Sequence, residues 1–142
     1  MKCFEILFQA TKNRGSIMRR DYHGNTPLHY AVKYGKKSFK YINFNQFKIK
    51  VLLNSGKMET VLFILTNEST CKSINTQNKK GKTPLFSAKD PKYLYLLLSY
   101  GADPTLGRVG DLTLLEYLIQ VKPDNARALL NYELDTNDQA HN

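Results

Sequence analysis

Cysteine is scarce in this 142-residue chain. Cys3 and Cys71 cannot build a disulfide scaffold, so both read as reduced intracellular thiols. Long apolar runs are missing too, since no stretch approaches the roughly 18 consecutive apolar residues that a membrane span requires. The opening Met1-Lys2-Cys3-Phe4-Glu5-Ile6-Leu7-Phe8-Gln9 has too short an apolar core, and no small-residue cleavage site, for a signal peptide. His23, His29 and His141 share no metal-ligand spacing with one another or with the cysteines. Together these absences lead us to expect a soluble, cytoplasmic chain with no membrane span, no metal and no cofactor. Acid is also in deficit: 12 Asp and Glu face 21 Lys and Arg, a net charge of +9 that invites a nucleic-acid or anionic-surface reading. What is present, 42% hydrophobic and 23% charged residues, suffices for one buried core and argues against wholesale disorder.

Self-similarity is the informative feature. Asp21-Tyr22-His23-Gly24-Asn25-Thr26-Pro27-Leu28-His29-Tyr30-Ala31 returns as Asn78-Lys79-Lys80-Gly81-Lys82-Thr83-Pro84-Leu85-Phe86-Ser87-Ala88. Thr26 and Thr83 suit helix N-caps, with Pro27 and Pro84 at the first helical position, where a missing N–H costs nothing. Gly24 and Gly81 supply the freedom of a preceding turn. Leu28 with Ala31, and Leu85 with Ala88, then share one helical face. A second helix follows each launch, over residues 56–65 and 91–101, the latter closed by Gly101 in the left-handed position after a helix end.

Turn, helix, helix, turn resembles the ankyrin-repeat family, whose ~33-residue unit opens its first helix with Thr-Pro-Leu-His. Thr26-Pro27-Leu28-His29 matches in full, whereas Thr83-Pro84-Leu85-Phe86 loses the histidine. A degenerate third copy is Gly110-Asp111-Leu112-Thr113-Leu114-Leu115-Glu116-Tyr117-Leu118, with leucine for proline and glutamate for histidine. The resemblance covers most of residues 1–134 and implies an all-α solenoid of about three to four helix-turn-helix units, partly degenerate, with an inserted loop. For His29 it implies a structural hydrogen-bonding role.

Spacing locates the irregularities. Thr83 to Thr113 is about three residues short of the family period, and the deficit falls between Ala88 and Pro91. Thr26 to Thr83 exceeds the period by about 24, most of it between Gly35 and Gly56. Residues 36–56 hold five lysines and no acid, and setting them aside lowers the net charge from +9 to +4. Three readings of this insertion stay open: a basic, aromatic-laced finger, an added loop without a role, and untranslated sequence carried into the reading frame. Phe47, Ile49 and Val51 alternating with Lys48 and Lys50 is a strand signal, but a lone strand in a helical solenoid has no sheet to join. Such a segment should be mobile or extend a helix.

The expected domain is 1–134: a partial repeat over 1–20, a repeat over 21–77 with insertion 36–56, a repeat over 78–107, and a degenerate capping repeat over 108–134. Cys3, Phe4, Ile6, Leu7 and Phe8 resemble a second helix whose partner precedes Met1, so the chain reads as a fragment of a longer array. Residues 124–134 read as the last helix, and 135–142 as a disordered polar tail.

Catalytic patterns are weak. Gly81-Lys82-Thr83 mimics the end of a phosphate loop without its earlier glycine or preceding strand. Asn67-Glu68-Ser69 has the form of a glycosylation triplet that a cytoplasmic chain would not use. Asp111 with Glu116, and Asp135 with Asp138, lie beside no candidate nucleophile or base. The expectation is therefore a recognition module and no enzyme.

In such arrays turn tips and first helices form the binding face. The expected contact residues are Tyr22, His23 and Asn25, then Lys79, Lys80 and Lys82, and Arg108 beside Val109. The lysines suit an acidic peptide, an anionic head group or an acidic domain, or they serve only solubility. Nucleic acid is not expected, because no helix couples basic residues to stacking aromatics in a reader pattern. More narrowly, residues 110–119 with Pro123, Ala126, Leu129 and Leu130 are similar to the last cytoplasmic ankyrin unit of transient receptor potential channels of subfamily A, of the painless and pyrexia type. That resemblance implies a cytoplasmic fragment that couples or regulates a cation channel whose pore lies outside this sequence.

Overall fold

A computed structural model describes residues 20–33, 38–44, 47–53, 61–62, 65–66 and 73–140. Helix α1 spans Pro27–Lys33 and is followed by strands β1, Ser38–Phe44, and β2, Phe47–Leu53. Residues 61, 62, 65 and 66 are helical. Then come α2, Pro84–Ser87, α3, Pro91–Ser99, α4, Leu114–Val121, and α5, Pro123–Ala140. The framework is mostly helical and layered. Helices α1, α2 and α4 pack side by side in one layer, α3 and α5 pack in the other, and α4 crosses onto α5.

Proline sets the helix starts. Pro27, Pro84, Pro91 and Pro123 each open a helix, where fixed φ is preorganised and the absent N–H is not missed. The same residue explains the brevity of α2. Pro91 pushes the residue before it out of helical conformation, and Asp90 duly adopts φ −144° while its side chain caps α3 by accepting from the Lys92 N–H. The deficit between Ala88 and Pro91 thus shortens the first helix of that unit to a single turn. At the other end of α3, the Gly101 N–H donates to Leu98 O and the Ala102 N–H to Leu97 O, with Gly101 at φ +90°. This is the double-bonded helix stop that its glycine predicts.

The layers close over Leu28, Val32, Leu85, Phe86, Leu94, Leu97, Leu114, Leu118 and Leu129, all at most 1% exposed. Val61 and Leu65, four apart and buried, bring the helical segment after the insertion into the same core. Full burial of each large aliphatic side chain contributes on the order of 2 kcal/mol, so the core depends on successive units covering one another.

Two expectations need correction. The strand signal at Phe47, Ile49 and Val51 does find a partner: β2 pairs antiparallel with β1, from Phe44↔Phe47 at the near end to Ser38↔Leu53 at the far end. Phe39, Tyr41, Ile42 and Phe44 give β1 a strand-forming composition, and only two residues separate it from β2, the length of a hairpin link. The polar segment from Asp135 continues α5 to Ala140 rather than forming a disordered tail. It contains no glycine or proline to stop the helix, and Thr136 Oγ1 donates back to Tyr132 O and Glu133 O. The expected helix at Cys3–Phe8 and the triplet at Asn67 lie outside the described residues.

The turns stack through close backbone approach. The Lys79 N–H donates to His23 O at 2.9 Å and the Arg108 N–H to Gly81 O at 3.0 Å, joining consecutive tips edge to edge. Gly81 stands at φ +78°, and a Cβ there would run into the Arg108 carbonyl, whereas one on Gly101 would meet open space. Gly101→Ala should therefore cost about 1 kcal/mol from backbone conformation alone, and Gly81→Ala about 2 to 3 kcal/mol. Urea unfolding of the two variants checks this; equal losses, or the reverse order, would contradict tip stacking.

Candidate functional site

Each tip is built by one side chain. Asp21 Oδ1 accepts from the backbone N–H groups of His23 and Asn25, at 2.9 and 2.8 Å. Asn78 Oδ1 does the same for Lys80 and Lys82, at 2.9 and 3.0 Å. This short-range bonding fixes the hairpin without any helix or sheet. Asn78 Nδ2 then donates to Asn25 Oδ1 at 2.8 Å, holding the two tips in register. Tyr30 donates to Asp21 Oδ2 and receives from Asn25 Nδ2, tying the first tip to α1.

The position two residues after each helix-opening site carries a different group in each unit. In the first unit His29, 2% exposed, receives the Thr26 N–H on Nδ1 at 3.1 Å, with Thr26 Oγ1 at 2.9 Å from the same nitrogen. An acceptor at Nδ1 places the proton on Nε2, which donates to Lys82 O at 2.9 Å. Burial lowers the pKa of His29, and the Lys82 carbonyl and Asp21 oppose that shift only in part, so the ring is held neutral. In the second unit Phe86 fills the place. It packs against Tyr117 with ring centroids 5.4 Å apart, and Thr83 Oγ1 is left buried without a partner. In the third, the Glu116 N–H reaches Thr113 Oγ1 at 3.4 Å to complete a capping box, and the Glu116 carboxylate takes both the Thr113 N–H and the Thr113 hydroxyl at 2.8 Å. These two bonds draw the Glu116 carboxyl below the usual carboxylate range.

Between the tips and the first-helix layer lies a groove of about 510 Å³. His23, Asn25, Lys79, Lys80 and Lys82, all expected contact residues, line it together with Lys33 and Lys122, and among the described residues no Asp or Glu does. Tyr22 stands beside the groove, 82% exposed, with Lys79 Nζ 4.4 Å from its ring centroid. Arg108 lies apart from it, its guanidinium donating to Asp111 O at 3.1 Å. Lys33 sits four residues after His29 on α1, so helical periodicity could have found it. No sequence signal marks Lys122, which reaches from the α4–α5 junction to Phe86 O at 3.2 Å and Ala88 O at 2.6 Å. Burial, then repulsion from Lys82 and Lys33, lowers its pKa to about 8. Lys82 Nζ donates to the Tyr117 hydroxyl at 2.9 Å and lies 4.5 Å from that ring's centroid. Among the described residues no group of three His, Cys, Asp or Glu could hold a metal ion.

The contrast between the threonines is measurable. Thr26→Val removes a hydroxyl that His29 uses and should cost about 1 kcal/mol, whereas Thr83→Val removes an orphan and should leave stability unchanged or raise it by up to about 1 kcal/mol. Thermal or urea unfolding reads both, and equal losses would contradict the difference in satisfaction.

No curated protein and no solved structure matches this chain. Residues 23–57 match a family model, and the match runs from the first tip through the segment read as an insertion to Lys57. Its family is the ankyrin repeat, and with the paired tips and layered helices it supports the ankyrin-repeat family for this chain.

Proposed function

We propose that this chain is a protein-interaction module without catalysis, which binds a partner through its turn tips and concave face, and that the partner offers an acidic segment. On this reading the units run 21–77, 78–107 and 108–134, and the contacts come from Tyr22, His23, Asn25, Lys79, Lys80 and Lys82, with Arg108 at the margin. One observation carries it: a groove whose lining, among the described residues, includes Lys33, Lys79, Lys80, Lys82 and Lys122 and no Asp or Glu. A lysine set kept for solubility alone is ordinarily interspersed with acids and spread over the surface. Here the charges converge on one concavity, where like-charge repulsion adds to the burial that depresses Lys122. An incoming carboxylate relieves that repulsion, steers association and is discriminated from basic competitors.

The second reading is a cytoplasmic ankyrin segment of a subfamily A transient receptor potential channel, coupling or regulating the pore. It rests on the sequence of residues 110–130. In the described residues no helix is long and apolar enough to cross a membrane. The same groove would serve that role.

Fluorescence anisotropy with a labelled Asp/Glu-rich octapeptide, against a neutral peptide and a DNA duplex of matched length, tests the first reading. The acidic peptide should bind best and weaken with salt, and Lys79→Glu and Lys80→Glu should each cost about two- to fivefold, as exposed charges do. Equal binding of acidic and neutral peptides, or preference for the duplex, would overturn it.

A further inference from the structure

Helix α5 has two faces of different character. Asn125, Ala126, Ala128 and Leu129 are buried, and among the described elements α5 packs on α3 and α4. On the side turned from that core, Leu130 is 43% exposed and Leu134 63%. With Ile119 and Val121 on α4, they are the aliphatic side chains most open to water among the described residues. Exposed aliphatic residues gathered on neighbouring elements, rather than scattered singly, mark a contact surface. Arg127, Leu130, Leu134 and Asp138 recur at three- and four-residue steps and so form one stripe along α5, with both leucines between the two charges. Arg127 and Asp138 are exposed, and among the described residues neither side chain is hydrogen-bonded or ion-paired. They stand three helical turns apart, about 16 Å along the axis, so they cannot meet within one chain.

We infer that α5 pairs antiparallel with α5 of a second copy of this chain, about a two-fold axis near Tyr132 and Glu133. The order of the stripe, a cation, two leucines and an anion, complements itself only when reversed. In the antiparallel arrangement Leu130 comes opposite Leu134 of the second copy and Arg127 opposite its Asp138, and the two-fold axis repeats both contacts on its other side. A parallel pairing would set arginine against arginine and aspartate against aspartate. A ligand of one sign is matched at one end of the stripe and repelled at the other, so a second copy meets both ends where a purely acidic or purely basic segment does not. Asp124, Glu133 and Asp135 fall to the sides of the stripe by helical periodicity and are exposed, where salt screens their mutual repulsion. No residue of α5 lines the groove between the tips and the first helices. The pair therefore carries two such grooves, and a partner with two matching segments gains avidity over a partner with one.

Analytical ultracentrifugation of the full chain, from about 10 µM to 1 mM, tests the pairing. One helix per copy makes a small seam, so a dimer with a dissociation constant on the order of 100 µM is expected. Leu134→Glu should weaken it at least about tenfold, and Arg127→Glu or Asp138→Arg alone about three- to tenfold. Arg127→Glu combined with Asp138→Arg should regain most of the original affinity, because the reversed charges again face one another. All three positions are exposed, and circular dichroism checks that each variant keeps its helices. Lys79→Glu with Lys80→Glu should leave the dimer unchanged. A monomer throughout that range, or a double variant that dimerises no better than the single ones, would overturn the α5 seam. Loss of the dimer on changing Lys79 and Lys80 would also overturn it, in favour of the acidic end of one copy resting on the tips of another.

Discussion

One imidazole joins two turns. His29 takes the Thr26 N–H on one nitrogen and gives its proton to the Lys82 carbonyl on the other, so the start of α1 and the tip of the next unit are held by a single rigid ring. Much of the binding face follows from that constraint. Fixing the Lys82 carbonyl fixes the backbone of the second tip, which Asn78 has already folded and which the Lys79 N–H ties to His23. The Lys82 side chain then leaves that anchored backbone toward Tyr117 on α4, and the groove spans three units because of it. A neutral histidine suits the task, since a ring protonated on both nitrogens would turn a donor toward Thr26 and its N–H.

The same position in the other units shows what can replace that ring. Glu116 satisfies the same threonine groups with a carboxylate but reaches no further tip, which serves for starting a helix and not for joining units. Phe86 exchanges the polar bonds for burial and a ring contact, leaving Thr83 with an unused hydroxyl. In exchange, its carbonyl and that of Ala88 receive the Lys122 ammonium. The second unit therefore lost a neutral latch, and a cation reaches back into it from the third.

Much of this was legible in the sequence. The repeated Gly-x-Thr-Pro-Leu block fixes both turn and helix starts, because glycine, threonine and proline there each answer a backbone requirement within four residues. Three of the five groove lysines, Lys79, Lys80 and Lys82, follow from that block once tips are known to form the binding face. Lys122 was not legible, because its role depends on carbonyls more than 30 residues away that become neighbours only when α2 and α4 stack. Arg108 illustrates the converse. It occupies the matching turn, but its guanidinium bonds within its own loop, a competition between local and distant acceptors that spacing does not reveal. The hairpin was half legible: alternation marks β2, yet the pairing with β1 depends on two irregular segments finding one another.

Nitrogen-resolved NMR of the His29 ring reads the latch between Thr26 and Lys82 itself. An ordinary histidine is half protonated near pH 6.5. Burial lowers the His29 pKa, so at that pH the unfolded chain holds more protons than the folded one, and the latch contributes full stability only above it. At pH 6.5 the folded ring should be mostly neutral with its proton on Nε2, and stability should fall as pH drops further. A ring half protonated at that pH, or carrying its proton on Nδ1, would contradict the latch.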